Sequence, residues 1–143
     1  MIRFWQTWSV FVLMVIASYA GYYYGAIDFI YNNDFTYISI VNLSILYLFT
    51  LVNLYKSYYQ VNEASDNQWF MSDAVLSLGM VGTLSGFLVV LYSTFEGLDP
   101  SNTESMKKAI ETLASGMGTA LLTSLVGLVS SIIMKYQLVV LES

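Results

Sequence analysis

The sequence predicts an all-α integral membrane protein with four transmembrane helices in a single membrane domain, 1–143. The chain is 57% hydrophobic and only 10% charged. Its charged residues leave four uncharged runs, each near the roughly 20 residues that a helix needs to cross about 30 Å of hydrocarbon. A soluble protein of 143 residues has no core large enough to bury so much apolar length. The predicted spans are about 4–27, 35–55, 74–95 and 112–134.

The first run has two interpretations. Arg3 precedes the apolar stretch, and the small residues of ASYA offer a cleavage site, which is typical of a signal peptide. The apolar run continues through GYYYGAI without a polar flank, and this favours an uncleaved first span. The first run has Trp5 and Trp8 near one end and Tyr22, Tyr23 and Tyr24 near the other, which is typical of the two membrane interfaces.

The positive charges that flank the four spans indicate the orientation. Four spans put both termini on one side of the membrane. The positive-inside rule then compares Arg3, Lys56 and Lys135 with Lys107 and Lys108, and the majority favours cytoplasmic termini. The net charge of −5 is spread over loops on both sides. No basic stripe with interleaved aromatic residues is present, so we expect no nucleic-acid binding.

Glycines form a stripe along the third span, in LGMVGTLSG. Spacings of three and four place Gly79, Gly82, Thr83 and Gly86 on one helical face. Small residues let another helix approach closely, which is how helices pack in lipid. The stripe therefore predicts a packing seam, in which Thr83 can bond to a carbonyl one turn earlier. A second interpretation is that Thr83 serves a group carried by the neighbouring helix.

The fourth span has two adjoining faces of small residues, in GMGTALLTSLVGLVSS. The first face consists of Gly116, Thr119, Ala120, Thr123, Gly127 and Ser130, and the second of Ala120, Ser124, Gly127 and Ser131. Two seams suit a helix in a ring, because such a helix contacts other copies of itself and also a central component. The alternative is a Ser/Thr-rich helix in a compact four-helix monomer.

The segment between the last two spans has a helical pattern of its own. In DPSNTESMKKAIETL, Ser101 and Glu104 have capping-box spacing, and Met106, Ile110 and Leu113 fall on one side. This pattern predicts a short amphipathic helix, about 101–111, flat on the outer membrane face. An outward extension of the fourth span fits the same residues.

The residue inventory excludes most enzyme chemistry. The chain has no Cys and no His, so it offers no ordinary zinc or haem site, no Ser–His pair and no thiol nucleophile. The glycine spacing also misses G-x-G-x-x-G. We therefore expect no enzymatic activity, no metal and no cofactor.

Two motifs, in order along the chain, resemble those of the MotA/TolQ/ExbB proton-channel family, the A-type subunits of ion-driven membrane motors. GMVGTLSG is similar to the family's G-x-x-G-T-x-x-G in the penultimate span. ALLTSLVGLVSSI is similar to its A-L-x-[AT]-[TS]-x-x-G-L-x-x-[AS]-I in the last span. The likeness covers roughly residues 70–135. Four spans with both termini inside look like the MotA branch, since TolQ and ExbB relatives have three.

The resemblance implies a homopentamer in the bacterial inner membrane, whose last two spans line a central pore. Two copies of a single-span MotB/TolR/ExbD-like partner, each supplying an essential Asp, would thread that pore and couple ion flow to mechanical work. Thr83 matches the hydroxyl position of the penultimate span, and Ser124 matches the [TS] position of the last. Where TolQ and ExbB relatives have a Glu, this chain has Thr119. Its short inner loop, KSYYQVNEASDNQWFMSD, is small for contact with a rotor.

The residues lead independently to a compatible hypothesis. Ion transport needs an ionisable or oxygen-rich site inside the bilayer, and the four spans contain no ionisable group. Either the protein does not conduct, or another chain supplies the carboxylate. The expected ion-pathway residues are Thr83, Ser124, Thr119 and Thr123. The expected helix-packing residues are Gly79, Gly82, Gly86, Gly116, Ala120 and Gly127.

The driving ion and the functional class have alternatives. Thr119 and Thr123 would add the oxygens that sodium needs, whereas a proton needs only a carboxylate and a wet path, and the proton is the preferred hypothesis. A small holin-like pore-former would also be short and rich in small residues, but it would conduct alone. A structural membrane scaffold would need no polar pore face.

Overall fold

A computed structural model describes residues 2–25, 28, 37–59, 65–96 and 101–142, and these described segments contain four long antiparallel α-helices. The helices are α1 (Ile2–Tyr23), α2 (Ile38–Tyr58), α3 (Asp66–Glu96) and α4 (Thr103–Glu142). Each is long and apolar enough to cross a membrane, so the chain is a multi-pass membrane protein, as the sequence predicts.

The first helix is shorter than the predicted span 4–27 because a glycine ends it. Gly25 has φ of 70°, a left-handed conformation that glycine adopts without strain, and its N–H donates to the carbonyl of Tyr22 at 3.1 Å. Residues 26–27 of the predicted span, and residues 35–36 of the second span, lie outside the described part of the chain.

The last two helices are longer than their predicted spans, because a charged residue ends an apolar run without ending a helix. At about 1.5 Å per residue, α3 is about 46 Å long and α4 about 60 Å, more than a hydrocarbon core requires. The Gln68 side chain caps the start of α3 by accepting the N–H of Ser65 at 3.1 Å. Both helices therefore project beyond the membrane core.

The amphipathic segment 101–111 is not a separate helix lying flat on the membrane. From Thr103 onward it forms about the first two and a half turns of α4, which continues without a break to Glu142. The capping residue is Asn102, whose Oδ1 accepts the N–H of Glu104 at 3.0 Å. The structure therefore has the outward extension of the fourth span, because the segment contains no residue that interrupts a helix.

The helices alternate in direction, and α3 and α4 form the most extensive contact. α2 packs against both of them, and α1 lies outside α2, where the ring of Phe4 meets that of Tyr58 with centroids 6.1 Å apart. The apolar core lies where all four helices meet. It consists of Met14, Leu46, Phe49, Val75, Met134 and Leu138. This arrangement leaves one flank of the α3–α4 pair away from α2.

Candidate functional site

The glycine stripe of α3 packs against the small residues of α4 within the same chain. A Cβ added to Gly127 would lie 2.8 Å from the Cα of Gly79, and one added to Gly79 would lie 3.0 Å from the Cα of Gly127. A Cβ on Gly82 would overlap the γ2 methyl group of Thr123. The two backbones therefore touch at the Gly79–Gly127 crossing, a separation that only glycine permits.

Two further contacts extend this seam toward the start of α4. A Cβ on Gly86 would meet the Cβ of Ala120 at 3.4 Å, an ordinary van der Waals distance. A Cβ on Gly116 would overlap the side chain of Val90. All six residues that the sequence assigns to helix packing thus lie in one intramolecular seam.

The first small-residue face of α4 is also covered within the chain by α2. Ser130 and Ser131 are buried, and the Asn42 amide of α2 lies 3.2 Å from where a Gly127 Cβ would stand. Ile38 of α2 similarly reaches Gly82. The first small-residue face therefore has its neighbours in α2 and α3, and the second face is covered except at Ser124. These contacts do not by themselves require a second chain.

Thr83 and Ser124 lie on the same flank of the α3–α4 pair. Thr83 follows Gly82, Ser124 follows Thr123, and in antiparallel helices the residue after a seam residue turns to the same side of the pair. Around α4, Ser124 lies about 60° to one side of Gly127. Both side chains are half-buried, and no helix in the described part of the chain covers this flank. We call it the outer flank.

Thr119 and Thr123 do not join Thr83 and Ser124 on the outer flank. Thr123 is only 2% exposed and lies inside the seam. Thr119 lies about 80° from Gly127 on the α2 side of α4. Only two of the four expected pathway hydroxyls therefore share a surface.

The hydroxyls of Thr83 and Thr119 bond to carbonyl groups of their own helices. Thr83 Oγ1 donates to the carbonyl of Gly79 at 3.0 Å, and Thr119 Oγ1 donates to that of Gly116 at 2.9 Å. Such bonds use the single hydroxyl proton and leave lone pairs that can accept another donor. On the outer flank, Thr83 can therefore receive a hydrogen bond from a protonated carboxyl group or coordinate a cation.

An ion pair lies on the same outer flank, nearer the C-terminus of α4. Lys135 Nζ and Asp73 Oδ1 are 2.8 Å apart, and the side chains are 42% and 63% exposed. Lys135 follows Ser124 by about three turns and Asp73 precedes Thr83 by nearly three, or about 15 Å along each helix. The ion pair and the two hydroxyls thus form a single stripe.

A chain of buried side-chain hydrogen bonds crosses the interface of α2, α3 and α4, and the sequence analysis missed it. Every donor points the same way, from the end of α2 toward its middle. The links are Lys56 Nζ to Gln68 Oε1 (2.9 Å), Gln68 Nε2 to Asn53 Oδ1 (2.7 Å), Asn53 Nδ2 to Gln137 Oε1 (3.2 Å), Gln137 Nε2 to Thr50 Oγ1 (2.9 Å), and Thr50 Oγ1 to the carbonyl of Leu46 (2.8 Å). Aligned donors polarise one another and fix the register of α2.

A signal for this network was present in the second span. Its polar residues recur at helical spacing on the face that the structure buries. The buried face consists of Ser39, Asn42, Leu46, Phe49, Thr50 and Asn53. Two amides on one face of a transmembrane helix indicate partners in the bundle, because an amide exposed to lipid is costly.

Asn42 differs from the other buried amides because it has no hydrogen-bond partner. Its side chain is fully buried, yet neither Oδ1 nor Nδ2 has a partner among the described residues. An unpaired buried amide destabilises a fold by about 1–3 kcal/mol. Asn53, on the same helix and 1% exposed, is bonded through both of its amide atoms.

This contrast predicts opposite effects for two matched substitutions. Asn42→Leu is expected to raise the free energy of unfolding by about 1 kcal/mol, because it removes unpaired polar atoms with little change of shape. Asn53→Leu is expected to lower it by about 1–3 kcal/mol, because it leaves Gln68 and Gln137 with unpaired amide atoms. Thermal unfolding of both variants in the same detergent measures the difference. Equal destabilisation by the two would contradict the prediction.

The described part of the chain contains no group of three or more Asp or Glu side chains that could hold a metal ion. No protein-family model matches the chain, and comparisons with curated proteins and with solved structures give no match either. The family resemblance therefore rests on the two motifs in α3 and α4.

Proposed function

We propose that this chain is the ring-forming subunit of an ion-driven membrane motor. Five copies surround two copies of a single-span partner, with α3 and α4 toward the pore and α1 and α2 toward lipid. Both termini are cytoplasmic, in a bacterial inner membrane. The observation that carries the proposal is the outer flank, where Thr83 and Ser124 lie on one side of the α3–α4 pair and none of the described helices covers them.

The composition of the spans supports a carboxylate from another chain. Asp73 and Lys135 are the charged residues on the outer flank, and both bound the apolar runs. Beyond this ion pair, the apolar runs 74–95 and 112–134 contain hydroxyls but no Asp, Glu, Lys, Arg or His. A partner helix that lies along the stripe can bring its Asp to the depth of Thr83 and Ser124, where burial alone would make the charge costly.

In the proposed mechanism, the two hydroxyls stabilise successive states of the partner Asp. Ser124 can donate to the ionised carboxylate, and the free lone pairs of Thr83 can accept from the protonated carboxyl group. Coupling follows if neutralisation of the Asp lets the partner move relative to the ring. Because Thr119 and Thr123 lie off the outer flank, the oxygens that would favour sodium are fewer, and the proton is the better-supported ion.

Purification in mild detergent tests the proposal directly. The expected product contains five copies of this chain and two of a single-span subunit with an intramembrane Asp. Native mass spectrometry gives the stoichiometry, and a top view by electron microscopy shows whether α3 and α4 line the centre. A stable monomer or dimer without a partner would contradict the proposal.

A structural scaffold is the second candidate, and one observation favours it. Apart from Ser124, the small-residue faces of α4 pack against α2 and α3 of the same chain, so a self-contained bundle satisfies most of its own packing. A scaffold would purify without an Asp-bearing single-span partner, and vesicles containing it would not conduct.

A further inference from the structure

The Asp73–Lys135 ion pair occupies a particular place relative to the two pathway hydroxyls. It joins α3 to α4 at the end of the pair that leads to the connection between α2 and α3. Within the isolated chain both side chains keep a substantial part of their surface free, 63% for Asp73 and 42% for Lys135. The pair shares its flank with Thr83 and Ser124, so a pathway along that flank has to pass it.

We propose that the Asp73–Lys135 pair forms the inner mouth of the ion pathway, and that the balance of its two charges sets the rate at which cations reach it from the cytoplasm. This inference rests on the proposed function, because only a ring brings several copies of the pair around one opening. In a pentamer the mouth has five carboxylates and five ammonium groups, which together are neutral.

The electrostatic consequence follows from the sign of each charge. A ring of like charges at a narrow opening changes the local concentration of a permeating ion by tenfold or more, and salt screens the effect. Loss of the ammonium groups leaves carboxylates that attract cations. Loss of the carboxylates leaves ammonium groups that repel them. Loss of both restores neutrality. The two single variants therefore have opposite effects on the rate of cation entry, and the double variant has almost none.

The experiment measures initial cation uptake into inverted membrane vesicles, whose cytoplasmic face is outward, with a proton- or sodium-sensitive dye inside. The vesicle membranes contain the complex of this chain with its partner subunit. At about 10 mM salt, where the Debye length is about 30 Å, Lys135→Met is expected to raise the rate about threefold or more. Asp73→Asn is expected to lower it by a similar factor, and Asp73→Asn/Lys135→Met to stay within about twofold of wild type.

Two controls separate a mouth charge from a general effect. At about 1 M salt, where the Debye length is about 3 Å, the three variants are expected to converge. Lys107→Met removes an exposed positive charge at the other end of α4 and is expected to leave uptake from the cytoplasmic side unchanged.

The outcomes distinguish the inference from the function on which it rests. A wild-type complex that takes up neither ion overturns both. A conducting wild-type complex whose single variants change the rate in the same direction, or leave it unchanged at low salt, overturns the inference and leaves the proposed function in place. Reduced assembly would lower the uptake rates of both single variants. Opposite changes in the two rates are therefore the result that supports a charged mouth at the Asp73–Lys135 pair.

Discussion

Replacing Gly127 by alanine is expected to lower the free energy of unfolding by about 1–3 kcal/mol, although alanine is the better helix former. The added methyl group would lie 2.8 Å from the Cα of Gly79 and 3.1 Å from the carbonyl oxygen of Val75. Both contacts are with backbone, which cannot move aside as a flexible side chain can. The helices would have to separate along the whole seam, and the Asn42 amide at this crossing would move with them.

Gly118 provides the matched control on the same helix. A Cβ there would have nothing within 4 Å, so Gly118→Ala gains helix propensity without steric conflict and is expected to stabilise by about 0.5–1 kcal/mol. Gly86→Ala should fall between the two, because its new contact with Ala120 is an ordinary 3.4 Å. Thermal or denaturant unfolding in detergent gives the order of stability of the three variants. Equal effects at positions 127 and 118 would mean that the close crossing is absent in the membrane protein.

Removal of the two outer-flank hydroxyls is expected to reduce ion flux at least about tenfold while assembly persists. Thr83→Val and Ser124→Ala nearly conserve side-chain volume, so packing changes little, whereas a polar group facing a buried carboxylate contributes about 1–3 kcal/mol. The Thr83 hydroxyl donates to the carbonyl of Gly79, so its loss costs the helix little by itself. Flux into vesicles with the partner present is the measurement.

Thr119→Val is the control for this prediction. Thr119 makes the same kind of bond, to the carbonyl of Gly116, and is also half-buried, but it lies on the α2 side of α4. It should therefore keep its flux. If Thr83→Val, Ser124→Ala and Thr119→Val all conduct like wild type, the hydroxyls serve packing alone. If all three lose flux equally, the outer flank has no special role.

The sequence determined the number and identity of the membrane helices. Charge-free runs identify the segments that transfer favourably into hydrocarbon, and each of the four overlaps one of the described membrane-length helices. The spacing of Gly79, Gly82 and Gly86 also identified the face of α3 along which another backbone approaches. These features depend on local composition and periodicity, which a single sequence contains in full.

Helix ends were less accessible to the same reasoning. Charged residues end an apolar run, and the predicted spans ended with them, but the hydrogen bonds of a helix continue through Asp73 and Lys135 without interruption. The segment 101–111 illustrates the point, because its amphipathic pattern fits a separate helix as well as the beginning of α4. The two possibilities differ only in whether the helix is interrupted between this segment and the fourth span.

Tertiary structure alone decided which helix occupies each small-residue face. The sequence indicates that two neighbours approach α4, and both turn out to be helices of the same chain, α2 and α3. It could not pair Asn53 with Gln137, which are 84 residues apart, or leave Asn42 without a partner. The residues of a small-residue face do not specify which helix packs against it, and an amide bonds to any other amide within reach. Which ones meet depends on how three helices cross, and that geometry minimises the free energy of the whole bundle rather than of any one segment.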